Sequence, residues 1–336
     1  MKEAEYFTKK ENNVVQCILC PHLCVIKEDN SGICGARRNK GGILYSVNYG
    51  VISGMSFDPI EKKPLYHYYP SSQILSIGTV GCNMRCPFCQ NYHISRFFDS
   101  NIEIEKKTVT PKYILDCLQS KNNHPSGYFG GVAYTYSEPM VWYEFVKETS
   151  ILLKEHGFKN VLVTNGYINK KPLMELLPFI DAANIDLKAF TEEHYKKLGG
   201  SLKPVLDTIT AFKEKQIHVE LTTLVVTAFN DNMEELENLV KWIASLDKNI
   251  PYHISRYFPQ YLYNERETDP IFLNQVKKMA DHYLNYVYLG NISGESDTYC
   301  PQCKSILVER EGYYTRITGI KDGKCIYCGR KADFVI

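Results

Sequence analysis

Three cysteines in one short segment have the spacing of ligands to a single metal centre. Cys82, Cys86 and Cys89 follow the pattern C-x3-C-x2-C. Three thiolates on one loop can bind three irons of a [4Fe–4S] cluster and leave the fourth iron open to a substrate. An open coordination position is also what separates a catalytic zinc site from a structural one. A zinc ion bound by the same three thiolates is the alternative.

Four cysteines near the C-terminus form two C-x2-C pairs, a spacing typical of a structural zinc site. Gly329 follows the second pair and favours the tight turn that directs backbone N–H groups toward sulfur. An Fe–S or rubredoxin-type iron site is the alternative, because thiolates also bind iron. The pattern predicts a zinc ribbon whose ligands are Cys300, Cys303, Cys325 and Cys328.

A third group of cysteines lies near the N-terminus, and its spacing is not that of a ferredoxin. Structural zinc and an auxiliary [4Fe–4S] cluster both fit the group. Zinc is favoured, because its tetrahedral all-thiolate sites tolerate irregular spacing. Arg37 and Arg38 follow the group and are interpreted as a solvated pair. The predicted ligands are Cys17, Cys20, Cys24 and Cys34.

These groups contain eleven of the twelve cysteines of the 336-residue chain. Cysteines three or four residues apart are poorly placed for disulfides to one another. Cys117 stands alone in a helical pattern, which predicts a small core residue. The segment Met1–Glu5 lacks the apolar run of a secretion signal. We therefore expect a cytoplasmic metalloprotein rather than a disulfide scaffold.

Charge and hydropathy argue against two further classes of protein. Lys plus Arg is 39 and Asp plus Glu is 38, a formal charge of +1, so nucleic-acid binding is not indicated. No stretch approaches the roughly 20 apolar residues that span a membrane. With 44% hydrophobic residues, the chain can bury a sizeable core without disulfides.

Short β-type runs alternate with amphipathic helical ones such as Met140–His156 and Met233–Leu246. This alternation predicts βαβ units and a parallel sheet. The predicted strands are Gln73–Thr79, Gly131–Tyr136, Val161–Thr164, Ala183–Leu187, His218–Val226, Tyr252–Ser255 and Val287–Leu289.

We predict an α/β fold built on a partial (β/α)6-type TIM barrel, with an open doubly wound sheet as the rival. Polar residues follow most of the predicted strands, at the edge where barrels carry their active sites. The barrel would span residues 73–296, between a Cys-rich metal-binding segment, 1–72, and the zinc ribbon, 297–336. Neither flanking segment has enough apolar sequence for a core of its own.

The C-x3-C-x2-C motif after the first strand of a barrel resembles the signature of the radical S-adenosylmethionine (SAM) superfamily. The likeness extends from about Cys17 to Cys328. The chain closely resembles AmmeMemoRadiSam-system radical SAM enzymes, which are related to pyruvate formate-lyase activating enzymes. The segments that carry it are Pro21-His22, Gly32-Ile33-Cys34-Gly35, 58–65 (DPIEKKPL), 78–83 (GTVGCN) and Cys89-Gln90-Asn91.

The resemblance implies a role for the loop and its neighbours. Cys82, Cys86 and Cys89 would hold the cluster, and the amino and carboxylate groups of SAM would chelate the open iron. Glu138 would pair with the methionyl ammonium, although a cap of the helix near Met140 is its alternative role.

Further SAM contacts are implied by the same resemblance. Tyr136 and Ser137 stand where related enzymes have two glycines beside that glutamate. Three of the contact residues also have a structural alternative. Asn165 is alternatively a turn residue, Lys188 one member of an ion pair, and His253 a structural histidine. The implied contacts are Phe88 along the adenine, Asn165, Asp186 and Lys188 at the carboxylate and ribose, Thr223 along the cofactor, and His253 at the ribose.

The implied reaction is reductive cleavage of SAM to methionine and a 5′-deoxyadenosyl radical, which abstracts a hydrogen atom from an unidentified substrate. We expect an electron donor such as reduced flavodoxin or ferredoxin. The substrate is a protein or a small molecule, and an activating-enzyme-like protein modifier fits. The alternative is a multi-metal binding or redox-sensing protein without radical catalysis.

Overall fold

An eight-stranded sheet forms the centre of the chain in a computed structural model that describes residues 1–99, 103, 105–120, 126–294 and 296–336. Its strands are β1 (Gly54–Pro59), β2 (Gln73–Gly78), β3 (Tyr128–Thr135), β4 (Lys159–Thr164), β5 (Ala182–Asp186), β6 (His218–Val225), β7 (Tyr252–Arg256) and β8 (Val287–Gly290).

The order of the strands in the sheet is their order in the chain, from β1 to β8. All neighbours are parallel except β1 and β2, which are antiparallel. A doubly wound sheet would reverse its strand order at a switch point, so this order favours the barrel. Within the described residues, β1 and β8 are not paired, and the barrel is therefore incomplete. The α/β class is confirmed, and the seven parallel strands β2 to β8 lie where the sequence predicts seven strands.

Eight α-helices in the described residues connect or flank these strands. Several begin at a side chain that caps the first turn: Thr110 accepts from the N–H of Tyr113, and Asn232 from that of Glu235. The helices are α1 (Tyr92–Ser95), α2 (Pro111–Gln119), α3 (Tyr143–Glu155), α4 (Lys170–Leu176), α5 (Glu192–Lys197), α6 (Leu202–Glu214), α7 (Met233–Asp247) and α8 (Pro270–Ala280). None of them is long and apolar enough to cross a membrane.

The N-terminal residues form small sheets that pack on the barrel instead of around a core of their own. Ala4, Tyr6, Val15 and Leu44 belong to the same buried cluster as the barrel interior. Residues before β1 contribute the short strands Lys2–Glu3, Phe7–Lys9, Val15–Cys17, Val25–Ile26, Arg37–Lys40, Ile43–Ser46 and Val51–Ile52, the last paired with Lys107–Thr108.

The C-terminal residues pack against the amino-terminal ends of the barrel strands. His67, just before β2, stacks on Phe334 with ring centroids 4.0 Å apart, and its Nδ1 lies 2.8 Å from the carbonyl of Asp333. Arg310 donates to the carbonyl of Tyr66 at 2.7 Å. The strands of this segment are Thr298–Tyr299, Ile306–Glu311, Tyr314–Ile317, Ile320–Lys321 and Lys324–Cys325.

Candidate active site

The loop after β2 carries the C-x3-C-x2-C motif and is held by the residues that follow it. Gly81 has a φ of 94°, which glycine adopts without steric cost, and its N–H donates to the carbonyl of Ile94. Arg96 donates to the carbonyls of Cys82 and Met84, both at 2.8 Å. Sequence reasoning missed Arg96, because its hydrogen bonds to the cysteine loop go to backbone carbonyls, which produce no side-chain pattern.

The three thiols of this loop are half-buried and have polar neighbours. The N–H of Met84 donates to Cys82 Sγ at 3.4 Å, and the side-chain amide of Asn165 reaches the same sulfur at 3.7 Å. The Ser95 hydroxyl lies 3.3 Å from Cys89 Sγ. Such contacts are the kind that orient metal ligands and tune a cluster.

The spacing of these thiols suits a cluster better than a single ion. In the part of the chain that the structure describes, only the four C-terminal cysteines bring three or more candidate ligand atoms within 4.8 Å of one another. A [4Fe–4S] cluster places several irons between its thiolates and so separates them farther than one ion does. The loop therefore fits a [4Fe–4S] cluster, and the zinc alternative loses support.

Glu138, directly after β3, is buried and binds the end of β4. Its Oε1 accepts from the N–H of Met140 at 2.9 Å and from the Thr164 hydroxyl at 2.7 Å. Its Oε2 accepts from the N–H of Asn165 at 2.8 Å. Burial raises the pKa of Glu138 to about 7, although these three hydrogen bonds oppose the shift. The carboxylate thus caps the short helix Pro139–Trp142, which is the alternative role predicted for Glu138 from the sequence.

Tyr136 and Ser137 attach the end of β3 to the cysteine loop. Tyr136 has a φ of 68°, the left-handed conformation that glycine prefers, at a position where the resemblance expects glycine. Its carbonyl accepts from Asn91 Nδ2 at 2.6 Å, and its hydroxyl donates to Asp58 at 2.8 Å. The Ser137 hydroxyl donates to the carbonyl of Thr79 at 2.9 Å. The backbone course of a glycine is therefore kept, while the tyrosine ring lies against β1.

Asp186 and Lys188, at the end of β5, form an ion pair beside the cysteine loop. The Lys188 ammonium lies 2.8 Å from Asp186 Oδ2. Burial would lower the pKa of Lys188, but Asp186 and the neighbouring Cys86 outweigh burial and raise it. Both side chains are only partly exposed, so the pair brings a positive and a negative group to the edge of the barrel that carries the cysteine loop.

Phe88, the residue before the third cysteine, lies in an aromatic cluster formed by the loops after β6 and β7. Its ring centroid is 5.2 Å from that of Phe229, 5.8 Å from Tyr263 and 6.3 Å from Tyr257. These edge-on contacts are a favourable aromatic geometry. They fix the orientation of the Phe88 ring, which forms an apolar surface next to the cysteine loop.

Thr223 and His253 have partners inside the barrel. The Thr223 hydroxyl donates to the carbonyl of Leu187 at 2.7 Å. His253 is buried, with its Nε2 2.7 Å from Glu220 Oε2 and its ring against Tyr66. These contacts favour a structural role for His253 and do not support its predicted contact with the ribose.

Asn83 connects three segments at the site, and sequence reasoning did not single it out. Its Nδ2 donates to the carbonyl of Tyr167 at 2.7 Å, and its Oδ1 accepts from Asn165 at 2.9 Å. Its own carbonyl lies 2.7 Å from His22 Nε2. The place of Asn83 in the resembling segment 78–83 was the one available signal.

The four C-terminal cysteines converge as ligands of one ion do. Cys300 Sγ lies 3.6 Å from Cys328 Sγ, and Cys303 Sγ lies 3.7 Å from Cys325 Sγ. A tetrahedral ion with Zn–S bonds of about 2.3 Å would separate its sulfurs by about 3.8 Å. The group therefore has the geometry of a mononuclear site for zinc or iron.

The four N-terminal cysteines surround a small cavity instead of converging. Arg37 lies at this cavity and is buried, so its interpretation as a solvated residue was wrong. Its guanidinium is bound to Glu144 of α3. Arg38, the next residue of the same strand, is exposed as expected.

The chain is also similar in sequence to known proteins. A family model described as the radical SAM superfamily matches residues 76–243. An uncharacterized protein of Methanocaldococcus jannaschii is 40% identical over 343 aligned residues, which cover 100% of both chains. A pyruvate formate-lyase-activating enzyme of Clostridium pasteurianum is 26% identical, over 60% of this chain and 86% of its own.

Among solved structures, Streptococcus suis SuiB bound to S-adenosylmethionine is similar over 67% of this chain and 49% of its own. The identity is 16% and the TM-score is 0.49. A similarity of this size does not strengthen the conclusions drawn from the strand order and from the match to the family model.

Proposed function

Because this chain belongs to the radical SAM superfamily, we propose that Cys82, Cys86 and Cys89 hold its [4Fe–4S] cluster. The protein is an enzyme of SAM-dependent radical chemistry. When bound, the cluster supplies the electron for reductive cleavage of SAM. The observation that carries the assignment is the loop after β2, whose three half-buried, separated thiols lie at the carboxyl end of the first parallel strand.

Glu138 is proposed to receive the methionyl ammonium of SAM. A carboxylate offers about four acceptor positions, and three are occupied by Met140, Thr164 and Asn165. One position is left for a cation. The same hydrogen bonds hold the carboxylate rigidly, so that its orientation does not depend on the ligand.

The other polar groups at this edge are proposed to orient the rest of SAM. The Asp186–Lys188 pair offers a carboxylate for ribose hydroxyls and an ammonium for the methionyl carboxylate. Asn165 and the backbone of Tyr136 and Ser137 border the same loop. Phe88 offers an aromatic edge for adenine and helps to exclude water from the site. For Thr223 and His253, the internal partners favour a supporting role.

The substrate is proposed to be a protein, because the relatives with named activities are activating enzymes. A small-molecule substrate is the second candidate. We propose that the chain is one of the AmmeMemoRadiSam-system enzymes, and the motifs in residues 17–91 support this proposal. A flavodoxin or ferredoxin would supply the electron, and cysteines grouped at metal-ligand spacing favour a cytoplasmic location.

The C-terminal segment is proposed to be a zinc ribbon. The sulfur separations of 3.6 and 3.7 Å support one tetrahedral ion. Because the segment packs on Tyr66 and His67, the ion would stabilise the end of the barrel remote from the cysteine loop. We propose the domain limits 1–72, 73–296 and 297–336, with β1 completing the sheet from the first segment.

The proposed function is tested by anaerobic purification of a C82A/C86A/C89A variant beside a Cys117→Ala control. The control should cleave SAM to 5′-deoxyadenosine when reduced, and the triple variant should not. Iron content should fall in the triple variant only. Full SAM cleavage by the triple variant would contradict the assignment. A control that binds iron but never cleaves SAM would favour the redox-sensing alternative.

A further inference from the structure

The four N-terminal cysteines come together around one cavity through the hydrogen bonds of the backbone between them. The N–H of Cys17, at the end of strand Val15–Cys17, donates to the carbonyl of Cys24 at 2.9 Å. The N–H of Leu23 donates to the carbonyl of Cys20 at 3.2 Å and closes the intervening turn. With Cys34, these thiols line one small cavity.

The separation of these thiols differs from that at the C-terminal site of the same chain. Residues 17–34 are all described, and no three of their thiols lie within 4.8 Å of one another. At the C-terminal site, four thiols meet that limit with separations as short as 3.6 Å. A tetrahedral zinc ion needs the closer arrangement. Thiols that stand around a cavity need a larger inorganic group between them.

Arg37 gives independent evidence of a missing partner at this cavity. Its side chain is 3% exposed, and two of its guanidinium nitrogens bind Glu144 and the carbonyl of Val141. Its Nε has no hydrogen-bond partner among the described residues. A buried N–H without an acceptor is rare in native proteins. Cluster sulfide or thiolate is an acceptor of the right charge, since an all-thiolate cluster is anionic.

A glycine, Gly32, lines the cavity beside one of the four thiols. A Cβ on Gly32 would lie 3.2 Å from Ile26 and 3.4 Å from Cys24 Sγ. The backbone at residue 32 therefore packs closely against Ile26 and Cys24.

The cavity lies directly against the proposed SAM cluster loop. Asn83, the residue after Cys82, lines the cavity and accepts a hydrogen bond from His22, which lies between Cys20 and Cys24. A Cβ on Gly81 would lie 2.8 Å from the carbonyl of Cys34, so the two cysteine loops are in close contact.

We infer that Cys17, Cys20, Cys24 and Cys34 bind a second [4Fe–4S] cluster, next to the SAM cluster, and not a zinc ion. The inference rests on the spacing of the four thiols, the cavity and the unpaired Nε of Arg37. It does not depend on SAM cleavage, because the four ligands lie outside the loop that carries the proposed function.

The test uses the C82A/C86A/C89A variant, reconstituted anaerobically with iron and sulfide. Wild-type protein should contain about eight irons and the variant about four, since each cluster contributes four. The variant should keep an equal amount of sulfide, and its dithionite-reduced form should give an electron paramagnetic resonance signal that SAM does not change. Zinc should be about one per chain in both proteins, from the C-terminal ribbon.

A further pair of changes assigns the remaining iron. Adding Cys24→Ala to the triple variant should remove that iron, whereas adding Cys117→Ala should not. A triple variant with no iron and two zinc ions per chain would overturn the inference. The iron difference between wild type and triple variant tests the proposed function separately. If the Cys24 variant fails to fold, the metal content of the triple variant alone decides.

Discussion

Arg37 donates to both carboxylate oxygens of Glu144, at 2.6 and 2.7 Å, and both side chains are buried. The pair joins the N-terminal cysteine segment to α3 on the outside of the barrel. Glu144 also accepts from the N–H of Glu5, so one carboxylate holds two parts of the N-terminal segment.

Replacing Arg37 by Met should destabilise the protein by about 3–5 kcal/mol, because Glu144 would remain buried without its partner. Arg38→Met is the matched control. Its side chain is exposed in the same strand, and we expect a change within about 0.5 kcal/mol. Denaturant unfolding of both variants under anaerobic conditions measures the difference. Equal stability of the two variants would contradict a structural role for the pair.

Glu138→Gln should lower both SAM affinity and stability. A charge-assisted hydrogen bond contributes about 1.5–3 kcal/mol, so the affinity should fall by about tenfold or more. The amide also places an NH2 group against N–H and O–H donors that now bind a carboxylate, which reduces the melting temperature. Calorimetric titration with SAM and thermal unfolding measure the two effects, with exposed Glu214→Gln as control. Unchanged SAM affinity with a lower melting temperature would leave Glu138 a helix cap only.

The protein should become less stable as the pH is lowered, because of His67. The buried ring lies 2.8 Å from the carbonyl of Asp333 and 2.7 Å from the Tyr288 hydroxyl. Burial lowers the pKa of His67 to about 3. In the unfolded chain the same ring binds a proton below about pH 6.5.

Between these two pH values the unfolded state binds the extra proton, and stability is lost as the pH falls from about 6.5 toward 3. The slope is up to about 1.4 kcal/mol per pH unit from this residue. His67→Gln should flatten the dependence measured by denaturant unfolding at pH 7.5, 6.5 and 5.5, whereas exposed His156→Gln should not. Parallel curves for wild type and His67→Gln would show that another group is responsible.

Cys325→Ala should remove the ion of the proposed ribbon and loosen the C-terminal segment, because metal binding energy is folding energy in so small a unit. Zinc analysis should show the loss of about one ion per chain. Limited proteolysis should cut the segment after residue 296 sooner than in a Cys117→Ala control. Unchanged zinc with an intact C-terminus would count against the assignment.

The strands of the barrel could be predicted closely from the sequence. Gln73–Thr79 and His218–Val226 were each one residue too long, and Gly131–Tyr136 began three residues late. Strands covered on both faces are almost continuous apolar runs, which no neighbouring segment has to complete. β1 was missed, because it is an edge strand with exposed Met55 and no such run.

The site could be predicted only in part. Cysteine spacing identified three groups of ligands, because ligands within one loop must be near in sequence. It did not predict Arg96 beneath the loop, Asn83 between three segments, or the buried partner of Arg37. Each of these contacts joins residues that lie on separate elements or bind backbone carbonyls, which no local pattern reveals.

By itself, the sequence determined that eleven cysteines lie in three groups and that strands alternate with helices. Only the tertiary structure decided how far apart the thiols of each group lie. Cys300 and Cys328 are 3.6 Å apart across two loops, whereas the N-terminal thiols surround a cavity. The spacing of cysteines in the sequence limits only how far apart the thiols of one short loop can lie. The distance between thiols of different loops depends on how those loops pack in the tertiary structure. That distance distinguishes a site for a single ion from a site for a cluster.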